Sequence, residues 1–240
     1  MIDENLDVST GAARDPDERV RAVLPHHIME RFEVASYRNA AAILKSSFPD
    51  ELDQILAVLE KLELTETMIR KPGGSKGPIA YRLDELMPTA WVEARISADL
   101  HVTTHHAKRR DEIISSYVRA GFLDGHRIDF LNGRVAFDLE WNSKDQTYDR
   151  DLDAFSAFYE AGAIDVGIIL TRGTSISNQY LKRLGKVLNK DGSEGDGEVF
   201  KKFGASTTWM GKLLYRLDAG RNRGCPVLAI GITPECIAST

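Results

Sequence analysis

Three carboxylates interrupt the most strand-like stretch of the chain, "RIDFLNGRVAFDLEWNSKDQ", from Arg127 to Gln146. Asp129 precedes an Asn132-Gly133 pair; Asp138 and Glu140 come after it. Asn-Gly is the strongest short hairpin signal, because a type I′ turn needs positive φ at both central residues. With those two as the turn, Leu131 faces Arg134, Phe130 faces Val135 and Asp129 faces Ala136. Strand side chains alternate faces. Phe137, Leu139 and Trp141 then form an apolar side, and Ala136, Asp138, Glu140 and Asn142 the other. Asp129 shares that second side as the diagonal neighbour of Asp138, with Cα atoms roughly 7–8 Å apart. Two carboxylates so placed can share one cation, and Glu140 adds a third oxygen. Hard divalent ions, Mg2+ above all, suit such ligands. The alternative is a strand face that is simply wet. Against it, three like charges on one face repel and call for a counter-ion.

The elements around this hairpin alternate between helix and strand. Helical periodicity runs from Asp17 to Lys45 and from Asp50 to Leu64, where Leu52, Ile55, Leu56, Leu59 and Leu62 make one apolar stripe. A further helix is expected from His105 to Ala120, with Ile113, Ile114, Tyr117 and Val118 inward and Gly121 ending it. After the hairpin come a helix from about Asp151 to Glu160, a strand "IDVGIILT", a helix around Thr208 to Asp218 and a buried strand "PVLAIGIT". Residues 1–16 read as a loose arm, and "KPGGSKGPIAYRL" as a glycine-rich linker with two lysines that could fold over an anion. The fold class is α/β with a mixed central β-sheet flanked by helices. The expected layout is a mainly helical region over 1–100 packed on a core over 101–240, the two forming a single domain.

Charge and composition narrow the function. No apolar run is long enough to span a bilayer, and the two cysteines make neither a metal spacing nor a disulfide framework, so a cytoplasmic protein is expected. The net charge of −5 disfavours a protein coated in basic residues but not one that gathers positive charge in a cleft. The C-terminal part is locally basic through Arg172, Lys212, Arg216, Arg221 and Arg223 among others. Ordinary solvated lysines and arginines are the plainer account of the same residues.

An Asp on one strand followed by an acidic-x-acidic triplet on the next resembles the PD-(D/E)XK nuclease core. The longer string "GRVAFDLEWNSKDQTYDRDLDAFSAFYEAGAIDVGIILTR", with "GCPVLAIGIT" near the end, resembles type II restriction endonucleases of the BglII/BamHI group over about residues 100–235. The resemblance implies that Asp129 and Asp138 bind the metal, and that Glu140 stands where a lysine is common. A register shifted by two would instead make Glu140 the second acid and Asn142 the last residue. The group also uses a polar or acidic residue on the helix before the hairpin, for which Glu112, or else Asp111, is the candidate. The activity that the resemblance implies is Mg2+-dependent hydrolysis of double-stranded DNA at a short palindromic site by a homodimer, leaving 5′-phosphate and 3′-hydroxyl ends. A repair or structure-specific nuclease, or a non-catalytic DNA-binding protein of the same fold, is the alternative. Base readout is expected from Asn142, Ser143 and Lys144 just past the acids, and from Arg172, Thr174, Ser175, Ser177 and Asn178. Lys212, Arg221 and Arg223 are expected on the phosphate backbone.

Overall fold

The computed structural model describes residues 14–72, 76–123 and 125–238. Most of the expected N-terminal arm lies outside that range. The first elements are α1 (Asp17–Val23), α2 (His26–Arg31), β1 (Phe32–Tyr37), α3 (Ala40–Ser47) and α4 (Pro49–Lys61). The single helical stretch expected from Asp17 to Lys45 is therefore three helices and a strand. Pro25 ends the first helix, and "FEVASY" extends because it packs as a strand against the end of the chain. Arg38 and Asn39, both at positive φ, turn the backbone into α3. In α4 the apolar stripe holds: Leu52, Ile55, Val58 and Leu59 are buried. Each such side chain contributes about 1.5–3 kcal/mol relative to exposure. Then come β2 (Leu64–Thr65), α5 (Glu66–Arg70), α6 (Pro78–Leu86) and β3 (Val92–Arg95).

The helix expected from His105 to Ala120 is instead the far strand of a hairpin, β4 (Ala98–His105) with β5 (Ile113–Leu123), paired antiparallel. Apolar positions 113, 114, 117 and 118 fit a helical stripe. The segment nonetheless carries Ile113, Ile114, Tyr117, Val118 and Phe122, which favour a pleated surface, and "HVTTH" gives it a partner. This ribbon stands away from the core, with Ile113, Ile114, Tyr117 and Val118 all exposed.

The rest of the core comes next: β6 (Arg127–Asn132), β7 (Val135–Glu140), α7 (Thr147–Glu160), β8 (Val166–Arg172), α8 (Asn178–Arg183), β9 (Lys186–Leu188), β10 (Glu194–Glu198), α9 (Val199–Lys202), α10 (Met210–Asp218), β11 (Val227–Ile232) and β12 (Ile237–Ala238). The central sheet has six strands in the order β1-β11-β8-β7-β6-β3. The inner three, β11, β8 and β7, are parallel, and the others join antiparallel. Both edge strands, β1 and β3, come from the first hundred residues, so that region is part of the sheet and not only a helical cover.

Each face of the sheet carries its own core. Phe137, Ile168, Leu170 and Ile230 pack with Leu52, Ile55 and Leu59 of α4. Ala136, Ile169 and Ala229 pack with Leu152, Phe155 and Leu213 of α7 and α10. Gly167 makes the second face possible, since a Cβ there would lie 2.2 Å from the Phe155 ring. The missing side chain lets α7 settle directly over β7.

Candidate active site

β7 runs through the middle of the sheet, and its alternation is as read from the sequence: Phe137 faces one core, Ala136 the other. Asp138 and Glu140 continue the Ala136 side, but that side is roofed by α7. The wet-face account fails on this point: Asp138 is 4% exposed and Glu140 8%.

The hairpin register differs from the sequence expectation by one pair. Phe130 faces Phe137, Leu131 faces Ala136 and Asn132 faces Val135. The two loop residues are thus Gly133 and Arg134, and of the Asn-Gly pair only Gly133 has positive φ. Side-chain anchors account for the shift. Asn132 stays on the strand to donate to Gln54 of α4 at 3.3 Å, and Arg134 forms a bidentate pair with Asp165 and donates to Gly162 O at 2.6 Å. Asp129 is consequently directly across from Asp138, where the expected register made them diagonal neighbours.

At that point side chains replace the backbone ladder. The Asp129 N–H donates to Asp138 Oδ1 at 2.8 Å, and the Leu139 N–H donates to Asp129 Oδ2 at 3.0 Å. On its other edge β6 bulges: Val92 faces Leu131 while Ala94 faces Ile128, so Asp129 and Phe130 together oppose Glu93. A bulge re-aims side chains, and here it turns Asp129 into an open cleft of about 690 Å³ that it lines with Glu93, Glu140, Asn142 and Ser143.

The charges resist ionisation in this setting. Burial raises the Asp138 pKa well above the ordinary carboxylate range, with Asp151, Asp129 and Glu140 adding like charge. Burial, then Asp151, pushes Glu140 up to about 8, although Ser143 and Thr147 hydrogen bonds oppose the shift. Asp129 is also raised by its enclosure, then by Asp151 and Glu93, while the Leu139 N–H and Lys76 pull the other way. Asp138 Oδ2 and Asp151 Oδ2 are buried without hydrogen-bond partners. Orphaned anionic oxygens crowded together fit a hard cation, which would satisfy and neutralise them. Among the described residues no three His, Cys, Asp or Glu side chains form a complete metal cage. A bound ion would therefore draw its remaining ligands from water and substrate, as Mg2+ does.

Asp151 was not singled out from the sequence. Its signal was a carboxylate on the buried stripe of α7, one turn after Tyr148 and four residues before Phe155. His126 Nε2 lies 3.2 Å from its Oδ1. Glu112 does not belong to this group. It sits in the ribbon's turn and pairs with Arg109 at 2.8 Å, because the helix that was to carry it is a strand. Glu93 on β3 and Asp84 on α6 are acids that reach the cleft from earlier elements.

The residues expected to touch DNA divide in two. Asn142 and Ser143 line the cleft; Asn142 takes the left-handed conformation at φ 59° and its Oδ1 has no partner. Lys144 is exposed beside them, but β7 ends at Glu140, so it does not share the acids' strand face. Ser175 and Asn178 are exposed. The remaining residues are committed inside the protein. Arg172 is buried, donates to Ile176 O at 2.9 Å and stacks on Phe203. Thr174 holds Glu33, and Ser177 caps α8. Lys212 pairs with Asp145 at 3.0 Å, Arg223 with Asp153 at 2.6 Å, and Arg221 with Asp149. These last three, with Arg216, tie the stretch from Asp145 through α7 to the segment from α10 to β11.

A mixed sheet in which β6 and β7 are joined through facing carboxylates agrees with a nuclease of the restriction-endonuclease type. The family described as restriction endonuclease BglII/BglIII matches residues 32–232, and the chain belongs to that family. It is a type II site-specific endodeoxyribonuclease acting on DNA. No curated protein matches it. Restriction endonucleases of this kind typically use a divalent metal. Among the described residues no helix is long and apolar enough to cross a membrane.

Proposed function

We propose that the protein is a Mg2+-dependent homodimer that cuts double-stranded DNA at a short palindromic site and leaves 5′-phosphate and 3′-hydroxyl ends. The observation that carries this reading is the pair of facing acids, Asp129 and Asp138, with Asp138 Oδ2 buried and unpartnered. Asp129 and Asp138 would hold the ion, whose chemistry there would be to lower the pKa of a water and to neutralise charge developing on the phosphate. Glu140, ionised beside that charge, orients the attacking water and takes its proton; a proton affinity raised toward neutrality suits a general base. Water oxygen bonds to phosphorus as the bond to O3′ breaks, and solvent protonates the leaving oxygen. Asn142, Ser143 and Lys144 read bases at the cleft, with Ser175 and Asn178 on a second loop. A palindromic site mirrors a two-fold protein, which favours the dimer.

Digestion of a plasmid of known sequence with Mg2+, with run-off sequencing of the products, tests the reading. A discrete fragment ladder with one shared sequence at the ends supports it. Smearing would point to a structure-specific nuclease, and intact DNA to a non-catalytic DNA-binding protein.

A further inference from the structure

The motif position that commonly carries a lysine holds Glu140, so the acidic strands bring no cation of their own to the phosphate. The cleft has a second wall. The segment leading into α6 lines it with Lys76 and Asp84. Lys76 belongs to the first hundred residues, not to the hairpin. Its ammonium is ion-paired with Asp84 of α6 and lies 5.5 Å from the centre of the Tyr81 ring, with its side chain 44% exposed.

The other cations around the cleft are placed differently. Lys202 is half-buried, and its ammonium is held by the carbonyl oxygens of Ile69 and Lys71. Arg127 pairs with Glu93 at 2.9 Å, out on the exposed edge of the sheet. Lys76 lines the same cleft as Asp129 from the α6 side, with a flexible side chain whose ammonium is held by an exchangeable carboxylate. Its bond to Asp84 also keeps it firmly protonated. It therefore cannot serve as the base, but it can serve as a fixed positive charge aimed where negative charge develops.

We propose that Lys76 is the phosphate-holding cation of this active site, parked on Asp84 in the free protein and transferred to a non-bridging oxygen of the scissile phosphate when DNA enters. The inference rests on the nuclease reading above. A flexible ammonium is a point charge, so it can exchange one oxygen partner for another without a fixed geometry. Lys76 thereby does from the α6 wall what a lysine two positions after Asp138 would do from β7.

The test uses the full-length protein and a duplex carrying the site mapped by plasmid digestion. Lys76→Met, Lys76→Arg and Asp84→Asn are compared for single-turnover cutting with Mg2+, for affinity in Ca2+ across a salt series, and for Tm. Lys76→Met should cut about 100-fold more slowly, lose about one unit from the slope of log affinity against log salt, and melt as the wild type does. Lys76→Arg should recover most of the rate and the full slope, and Asp84→Asn should cut at least as fast as wild type. A Lys76→Met protein that cuts within about threefold of wild type, or keeps the full salt slope, overturns the inference while leaving the nuclease reading intact. A Lys76→Arg protein as slow as Lys76→Met also overturns it. A wild-type protein that cuts no DNA overturns the nuclease reading, and the role of Lys76 with it.

Discussion

Asp129 and Asp138 each hold the other's strand: the Asp129 N–H donates to Asp138 Oδ1 at 2.8 Å, and Asp129 Oδ2 accepts the Leu139 N–H at 3.0 Å. The ladder between β6 and β7 is closed at this level by carboxylates instead of carbonyls. The strands can therefore separate enough to open a cleft and still remain registered. These oxygens hold the fold together and are also the ones proposed for the chemistry, so substitutions must be chosen to separate the two.

Asn at either position keeps an oxygen acceptor for the backbone N–H and removes the charge; Ala removes both. Asp129→Asn and Asp138→Asn should fold normally, bind the cognate duplex, and cut at least 100-fold more slowly, the scale set by losing one preorganised electrostatic group. The Ala variants should add a loss of about 1–3 kcal/mol in stability from the freed N–H groups. Ca2+ should tighten DNA binding by the wild type and not by a protein with Ala at Asp129, Asp138 and Glu140. Affinity titrations at fixed salt check this, and near-normal cutting by either Asn variant would sink the assignment.

Glu140 and Asn142 separate the two possible registers of the motif. Glu140 is buried under α7 and held by Thr147 at 3.0 Å, whereas Asn142 has already left the strand at positive φ. Glu140→Gln should slow single-turnover cutting by about 100-fold or more, and Asn142→Ala should chiefly weaken discrimination between cognate and altered sites, by about 1–3 kcal/mol per affected base pair. An inactive Asn142→Ala beside an active Glu140→Gln would shift the register by two.

The raised pKa of Glu140 also makes stability depend on pH. Its pKa rises from 4.5 unfolded to about 8 folded, so over that window the folded state keeps a proton that the unfolded state releases. The stabilisation is fully present below about pH 4.5 and is lost as pH climbs through 8. Glu140→Gln cannot ionise and should gain on wild type between pH 5 and pH 8. Half of the shift is about 2 kcal/mol, or about 4–8 °C in Tm for a chain of this size. Melting curves at the two pH values, without divalent ions, measure the gain; equal pH dependence in the two proteins would remove the buried acid from the account.

Arg221 and Lys212 are ion-paired within the chain, with Asp149 and Asp145. Arg221→Gln and Lys212→Gln should leave the salt slope of DNA binding unchanged and cost about 0–1 kcal/mol in stability, the range for partly exposed pairs. A slope reduced by about one for either variant would return it to the phosphate backbone.

The central strand and its flanks were legible in the sequence. Period-2 alternation around Phe137 and Leu139, the β-branched run ending at Arg172 and the stripe of α4 each reflect a single local pattern, and each survives in the fold. The register of the hairpin was not legible, because Asn132 and Arg134 are anchored by Gln54 and Asp165, residues distant in sequence. The ribbon misled for a related reason: positions 113, 114, 117 and 118 satisfy helical spacing, and only the pairing of 113–123 with 98–105 decides otherwise. Asp151 was visible as a charged residue on a buried stripe, but its neighbours across the sheet were not. The ion pairs of the basic C-terminal residues were not legible, because their partners, Asp145, Asp149 and Asp153, lie on or just before α7, far earlier in the chain.

The pairing of β1 with β11 has a consequence for how the protein comes into being. Phe32 faces Ile232 and Tyr37 faces Val227, so the contact joins positions about 200 residues apart. Closing such a loop is entropically costly, and sheets built from distant partners assemble slowly. A ribosome must have passed residue 232 before β1 can find its neighbour. The sheet that carries the acids is therefore completed only once β11 has been made, and a truncated product that stops short of β11 carries Asp129, Asp138 and Glu140 on a sheet whose first edge has nothing to join.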